Sequence, residues 1–105
     1  MIVNWTEPAL DNLDAIYEYI SHDAPVYAQN LIDDLMAAVD RLEQFPDSGR
    51  RVPEARTKDI EVREVIARGH RILYYKVNAE RLDIIGVRSG HQDLTLPSNQ
   101  PWESH

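Results

Sequence analysis

Residues 60–88 read IEVREVIARGHRILYYKVNAERLDIIGVR, and the fold turns on how this stretch is read. Three runs in it, 60–67, 71–77 and 82–88, are rich in Val, Ile and Tyr, side chains that suit a pleated, half-buried surface. The links Arg68-Gly69-His70 and Asn78-Ala79-Glu80-Arg81 are hairpin-sized. The runs are therefore expected to form three antiparallel strands. In the middle run, Arg71, Leu73, Tyr75 and Val77 alternate with Ile72, Tyr74 and Lys76. One set packs inward, and alternation alone leaves open which.

On the N-terminal side lies the clearest helix. Ala28, Leu31, Leu35, Ala38, Leu42 and Phe45 recur at intervals of three and four, with Ile32 and Val39 widening the stripe. Pro46-Asp47-Ser48-Gly49 ends it. Before it, Leu10, Leu13, Tyr17 and Ile20 form a second apolar stripe, started by Thr6-Glu7-Pro8 with Thr6 as a hydroxyl cap. The short break at 21–25 implies an antiparallel helical hairpin. Ile2, Val3 and Trp5 read as a first strand, and 50–59 as a loop or an irregular edge strand. The expected fold is thus α+β: an N-terminal strand, a two-helix antiparallel hairpin, then a three-stranded antiparallel β-sheet packed on the helices. One domain spans 1–94. Residues 95–105 form a tail expected to be loosely held, with Trp102 able to dock.

The chain has 105 residues, enough for one modest core, and no cysteine, which removes disulfides and thiolate chemistry. No run approaches the ~20 apolar residues of a membrane span, and MIVNWTEPAL lacks the basic start of a signal peptide. A cytoplasmic location with no membrane contact is expected. The net charge of −7 conceals an asymmetry. Residues 1–48 hold ten Asp/Glu and one Arg, whereas 49–91 hold ten Lys/Arg and six Asp/Glu. Acidic helices and a basic sheet half suggest one anion-attracting face.

His22, His70, His91 and His105 show no metal-ligand spacing, and no phosphate loop or nucleophile elbow is present. No cofactor or metal is expected. The remaining chemistry lies with arginine. Arg63, Arg71 and Arg88 fall on successive strands, with Arg50 and Arg51 in the loop before them. Converging, they would bind carboxylate or phosphate through forked hydrogen bonds. The competing reading pairs Arg63 with Glu61 or Glu64, and Arg88 with Asp83 or Asp93. His91 and Gln92 follow Arg88 closely, and His91 is a candidate acid or base. His70 is placed at a solvent-facing hairpin tip. Tyr74, Tyr75 and Tyr27 read first as packing residues.

LEQFPDSGR at 42–50, Val52-Pro53-Glu54, Arg63-Glu64-Val65, HRILYY at 70–75 and IIGVRSGHQ at 84–92, in this order and spacing, resemble the RelE/ParE toxins of bacterial type II toxin–antitoxin pairs. The resemblance spans about residues 1–94. It implies growth inhibition and a cognate antitoxin as partner in a hetero-oligomer. RelE-like members cut mRNA on the ribosome without a metal, and in that case Arg71, Arg88 and His91 would be catalytic. ParE-like members poison DNA gyrase, with no catalytic chemistry implied. Only two lysines, no tyrosine after Tyr75 and a net acidic charge depart from the ribonuclease pattern. FPDSGR and VRSGHQDL look ParE-like, so gyrase is preferred over ribosome-bound mRNA as target. A third reading is a homologue that only binds. The surface expected to meet the antitoxin comprises Arg50, Arg51, Arg63, Arg71, Tyr75, Arg88, His91 and Gln92, converging into one open basic patch.

Overall fold

The computed structural model describes residues 1–55 and 59–103. Strand β1 (Ile2–Trp5) leads into helix α1 (Glu7–Ser21) and helix α2 (Pro25–Asp40). Four strands follow: β2 (Arg50–Arg51), β3 (Arg63–Ala67), β4 (His70–Lys76) and β5 (Arg81–Ser89). The sheet has five strands in the order β1-β5-β4-β3-β2, not the three expected. The antiparallel β3-β4-β5 meander is there. To it are added β1, parallel to β5 through Ile2↔Arg81 to Trp5↔Ile84, and two-residue β2 antiparallel to β3. The fold is α+β with a mixed sheet.

Each element has a local cause. Pro8 and Pro25 occupy first-turn positions, where a missing N–H costs nothing. Thr6 stands at the N-cap of α1, but its hydroxyl does not cap. It donates to the Ile84 carbonyl at 2.6 Å, tying the β1–α1 corner to β5. Helix α2 stops at Asp40 and tightens into a 3₁₀ turn at Arg41–Glu43, short of the expected Phe45. Phe45 precedes Pro46, whose ring disfavours helical geometry at the residue before it. Its side chain is 61% exposed rather than part of the core stripe. Between β3 and β4 the turn is only Arg68-Gly69, both with positive φ, the pattern of a two-residue type I′ hairpin. His70 therefore starts β4 and is half-buried, not at a solvent-facing tip.

The sheet is covered on both faces. Leu13, Leu31, Leu35, Val39 and Leu42 from the helical side pack on Ile72, Tyr74, Leu82, Ile84 and Val87. On the opposite face Val52, Ala55, Val62, Leu73 and Ile85 pack with Leu94 and Trp102. The tail is thus held rather than loose: Pro101 and Trp102 are buried. Gly86 makes the room for them, since a Cβ there would stand 2.9 Å from Pro101 Cβ. Two covered faces explain the unbroken buried run from Leu82 to Val87 in β5. They also explain why alternation in β4 could not decide its inner face: Tyr74 faces the helices, Leu73 faces the tail, and both are fully buried. No helix among the described residues is long and apolar enough to cross a membrane.

Candidate functional site

The loop after α2 is anchored from within the sheet. Tyr74 Oη donates to the Pro46 carbonyl at 2.8 Å and accepts from the Gly49 N–H at 3.0 Å. Burial pushes the Tyr74 phenol above its ordinary value, so it remains a neutral donor. Gly49 is obligatory for the approach: a Cβ there would lie 2.5 Å from Tyr74 Oη and 2.6 Å from the Glu64 carbonyl. This anchor delivers Arg50 and Arg51 to the edge of β3.

On the face opposite the helices, four charges alternate in a chain. Arg50 Nε donates to Glu64 Oε1 at 2.7 Å, and Arg71 Nε donates to Glu64 Oε2 at 2.6 Å. Arg71 then reaches Glu54 with both terminal nitrogens, at 3.2 and 3.3 Å. Glu64 is buried, and its burial is tolerable because each oxygen meets a guanidinium. The Arg71 hydrogen bond, against a smaller burial penalty, holds the Glu54 carboxyl below the usual glutamate range. Burial works against the Arg71 charge, but Glu64 and Glu54 outweigh it and its pKa is raised.

The other cations are also engaged. Arg51 and Arg63 are register partners, and like charges directly opposite would repel. Glu61 lies between them, 3.4 Å from Arg51 and 2.9 Å from Arg63. Arg63 further donates to the Gly49 carbonyl at 2.7 Å. Arg68 pairs with Asp34 of α2 and sits over the Tyr27 ring at 5.3 Å. Lys76 pairs with Asp47 and Arg81 with Asp83. The expected open basic patch is therefore corrected: the cations are spread over several places, and most are paired with internal acids. Of the local pairings considered from sequence, Arg63–Glu61 occurs, whereas Arg88 meets neither Asp83 nor Asp93. Arg56 and Lys58 lie outside the described residues.

Arg50 and Arg71 are thus brought together on Glu64, while Arg63, on the other face of β3, is held by Glu61 and the Gly49 carbonyl. Tyr75 packs beneath the tail against the second core. Arg88 stands opposite Arg71 in register but points elsewhere, donating to Asn12 Oδ1 at 2.6 Å and to the Asn99 carbonyl at 2.9 Å. His91 and Gln92 occupy the turn after β5. His91 is exposed, and Gln92 Oε1 accepts from the Ser89 N–H at 2.8 Å. Reading the sequence missed the roles of Glu54 and Asn12, and offered Glu64 only as a partner of Arg63, not of Arg50 and Arg71. Glu64 had a signal, an acid inside an otherwise apolar strand beside Arg63. Asn12 had none, lying on the polar side of α1.

A second surface lies along β3. Strand β2 pairs only with Arg63 and Glu64, so Val65–Ala67 has β4 on one side and no strand on the other among the described residues. A cleft of about 440 Å³ opens there, between the end of α2 and the strand. Ala38, Arg41, Phe45 and Ile66 line it, and Ile66 is 57% exposed. A free strand edge beside exposed apolar side chains is the form that accepts an added peptide segment. No group of His, Cys, Asp and Glu able to hold a metal occurs among the described residues.

A helical hairpin laid on a mixed five-stranded sheet, with a free edge and an arginine–carboxylate chain on its far face, defines a small α+β domain. The sequence profile of the family described as "ParE toxin of type II toxin-antitoxin system, parDE" matches residues 3–94. The chain is 32% identical over 90 residues to "Putative toxin Y4kP" of Sinorhizobium fredii (strain NBRC 101917 / NGR234), an alignment covering 86% of this chain and 88% of that protein. It also superimposes, with a TM-score of 0.67 and 24% identity, on a chain of the solved structure "Chromosomal ParDE TA system from P. aeruginosa", over 85% of this chain and 95% of the other. This protein belongs to the ParE toxin family of type II toxin–antitoxin systems.

Proposed function

We propose that the protein inhibits DNA gyrase and is neutralised by a cognate antitoxin that lays an extended or helical segment along the open edge of β3. The observation that carries the choice of target is the state of Arg71. A ribonuclease needs a cation free to meet the phosphorane and a base poised near neutral pH. Here Arg71 is held by two carboxylates, and Glu54, the acid with access to it, is kept strongly ionised. His91 makes no side-chain contact with Arg71 or Arg88. The net charge of −7 adds repulsion from RNA.

In this reading Arg50, Arg63 and Arg71 with their carboxylates hold the rim of the β3 groove in shape. Backbone pairing at Val65–Ala67 would give the antitoxin affinity. An apolar side chain lodged between Phe45 and Ile66 would give it register. Arg51, Tyr75, Arg88, His91 and Gln92 belong to the wider contact surface.

Purified protein added to a gyrase supercoiling assay is expected to stop supercoiling, and cognate antitoxin is expected to restore it. Unimpaired gyrase together with ribosome-dependent mRNA cleavage would replace this reading with the ribonuclease one. Inactivity in both assays, with antitoxin binding retained, would leave a binding module.

A further inference from the structure

Arg88 differs from the paired arginines described above. It is half-buried where β5 runs past the end of β1, between α1 and the 3₁₀ turn Pro97–Asn99. All its partners are neutral oxygens: Asn12 Oδ1, the Asn99 carbonyl and, at 3.1 Å, the Val87 carbonyl. No carboxylate among the described residues lies within ion-pairing distance, and burial alone lowers its pKa, with no acidic neighbour opposing the shift. Nε and both hydrogens of Nη1 are used, so Nη2 retains two donors without a partner. The positive charge is fixed in place and uncompensated.

The surroundings are rich in donors. Arg88 lines a cleft of about 360 Å³ with His70, Ser89, Gln92 and Asn12. The Asn12 and Gln92 amide oxygens there are occupied. Asn12 Oδ1 takes both Arg88 and the Val87 N–H, and Gln92 Oε1 takes the Ser89 N–H, leaving the Gln92 amide NH₂ to donate. His70 Nδ1 faces the Arg68 carbonyl at 3.0 Å, so that nitrogen carries its hydrogen and the ring is oriented. A cleft with one uncompensated cation, its spare Nη2 donors and the Gln92 amide is matched by an oxyanion.

We propose that this cleft is an oxyanion site built on Arg88 that takes a single carboxylate side chain of a partner protein. It rests on the toxin–antitoxin reading only for the identity of that partner. A carboxylate fits better than a nucleic-acid phosphate because the chain's net charge of −7 repels a polyanionic backbone far more than a single side chain.

The test uses the whole ¹⁵N-labelled chain and small probes, so it needs no partner. Sodium acetate, inorganic phosphate and sodium chloride are titrated at matched ionic strength. The Arg88 Nε–H and the Asn12 and Gln92 side-chain amides are followed by NMR. Acetate is expected to give saturable shifts centred on these groups, and chloride none. Arg88→Gln is expected to weaken acetate binding by about tenfold or more, the loss of a charge-assisted contact. Absence of saturation at Arg88 in the unaltered chain overturns the proposal whether or not the variant folds. So does an unchanged response in Arg88→Gln. Phosphate saturating at lower concentration than acetate overturns the carboxylate assignment. None of these outcomes bears on gyrase inhibition, which the supercoiling assay decides separately.

Discussion

Gly49 and Tyr74 set the tightest constraint in the molecule at the residue scale. Tyr74→Phe removes one hydroxyl and leaves both the Gly49 N–H and the Pro46 carbonyl short of a partner. A loss of about 1–3 kcal/mol is expected, read from the urea midpoint. Gly49→Ala places a methyl against a phenol oxygen and a backbone carbonyl, neither able to retreat freely, and is expected to cost about 2 kcal/mol. The same loop carries Arg50, so both changes should also alter the rim of the β3 groove. Burial decides the weight of each ion pair. The Arg50 side chain is 64% exposed and the Arg71 side chain 14%, though both bond to Glu64. Arg50→Gln is therefore expected to cost under about 1 kcal/mol. Glu64→Gln, which removes the buried anion shared by Arg50 and Arg71 and leaves Arg71 only Glu54 as a charged partner, should cost about 1–3 kcal/mol. Equal losses for the two in chemical denaturation would show that the chain of charges does not act as described.

Between elements, the alternating charges connect β2, β3, β4 and the turn at 53–55, and they give the fold an acid-sensitive seam. Glu54 has its folded pKa depressed by Arg71. Its contribution is complete above the ordinary value of 4.5 and is lost as pH falls through the depressed folded value. Stability measured by thermal melting should decline on acidification in that window, and Glu54→Gln should flatten part of the decline. The helices and the β3–β4–β5 meander were legible in sequence because their periodicities are local: 3.6 along the helices, hairpin-sized links along the strands. Strand β2 was not, since two residues carry no period and pair only because Tyr74 pins the loop before them. The parallel partner of β1 is 79 positions away and leaves no local mark. The fate of the arginines was half legible. Residue types marked the region as anion-seeking, but only register shows that Glu64 and Glu54 already satisfy Arg71 while Arg88 keeps an unused edge.

Across the whole molecule, the segment after β5 is a structural layer. Trp102 is 4% exposed and packs with Leu73, Ile85 and Leu94 on the face the helices do not reach. Trp102→Ala is expected to cost about 3–5 kcal/mol, visible as a lowered melting temperature. A loss below 1 kcal/mol would mean that the last turn only rests on the sheet. With both faces covered, two of the open approaches among the described residues are the β3 edge and the Arg88 cleft, which are lined by different residues. A partner engaging both has to wrap around the domain instead of capping one side.

The parallel pairing of β1 with β5 also governs when during synthesis the molecule comes into being. The first strand leaves the ribosome early, yet Ile2 through Trp5 find their ladder only when residues 81–84 have been made. Until then the hairpin of helices has only part of the sheet to close against. Late, long-range closure of this kind slows folding. Interrupted translation products ending before Arg81 would lack β5, the strand joining β1 to the meander, and with it the Arg88 cleft. A cell that aborts synthesis of this toxin before Arg81 is expected to release inert fragments, readily cleared by proteolysis.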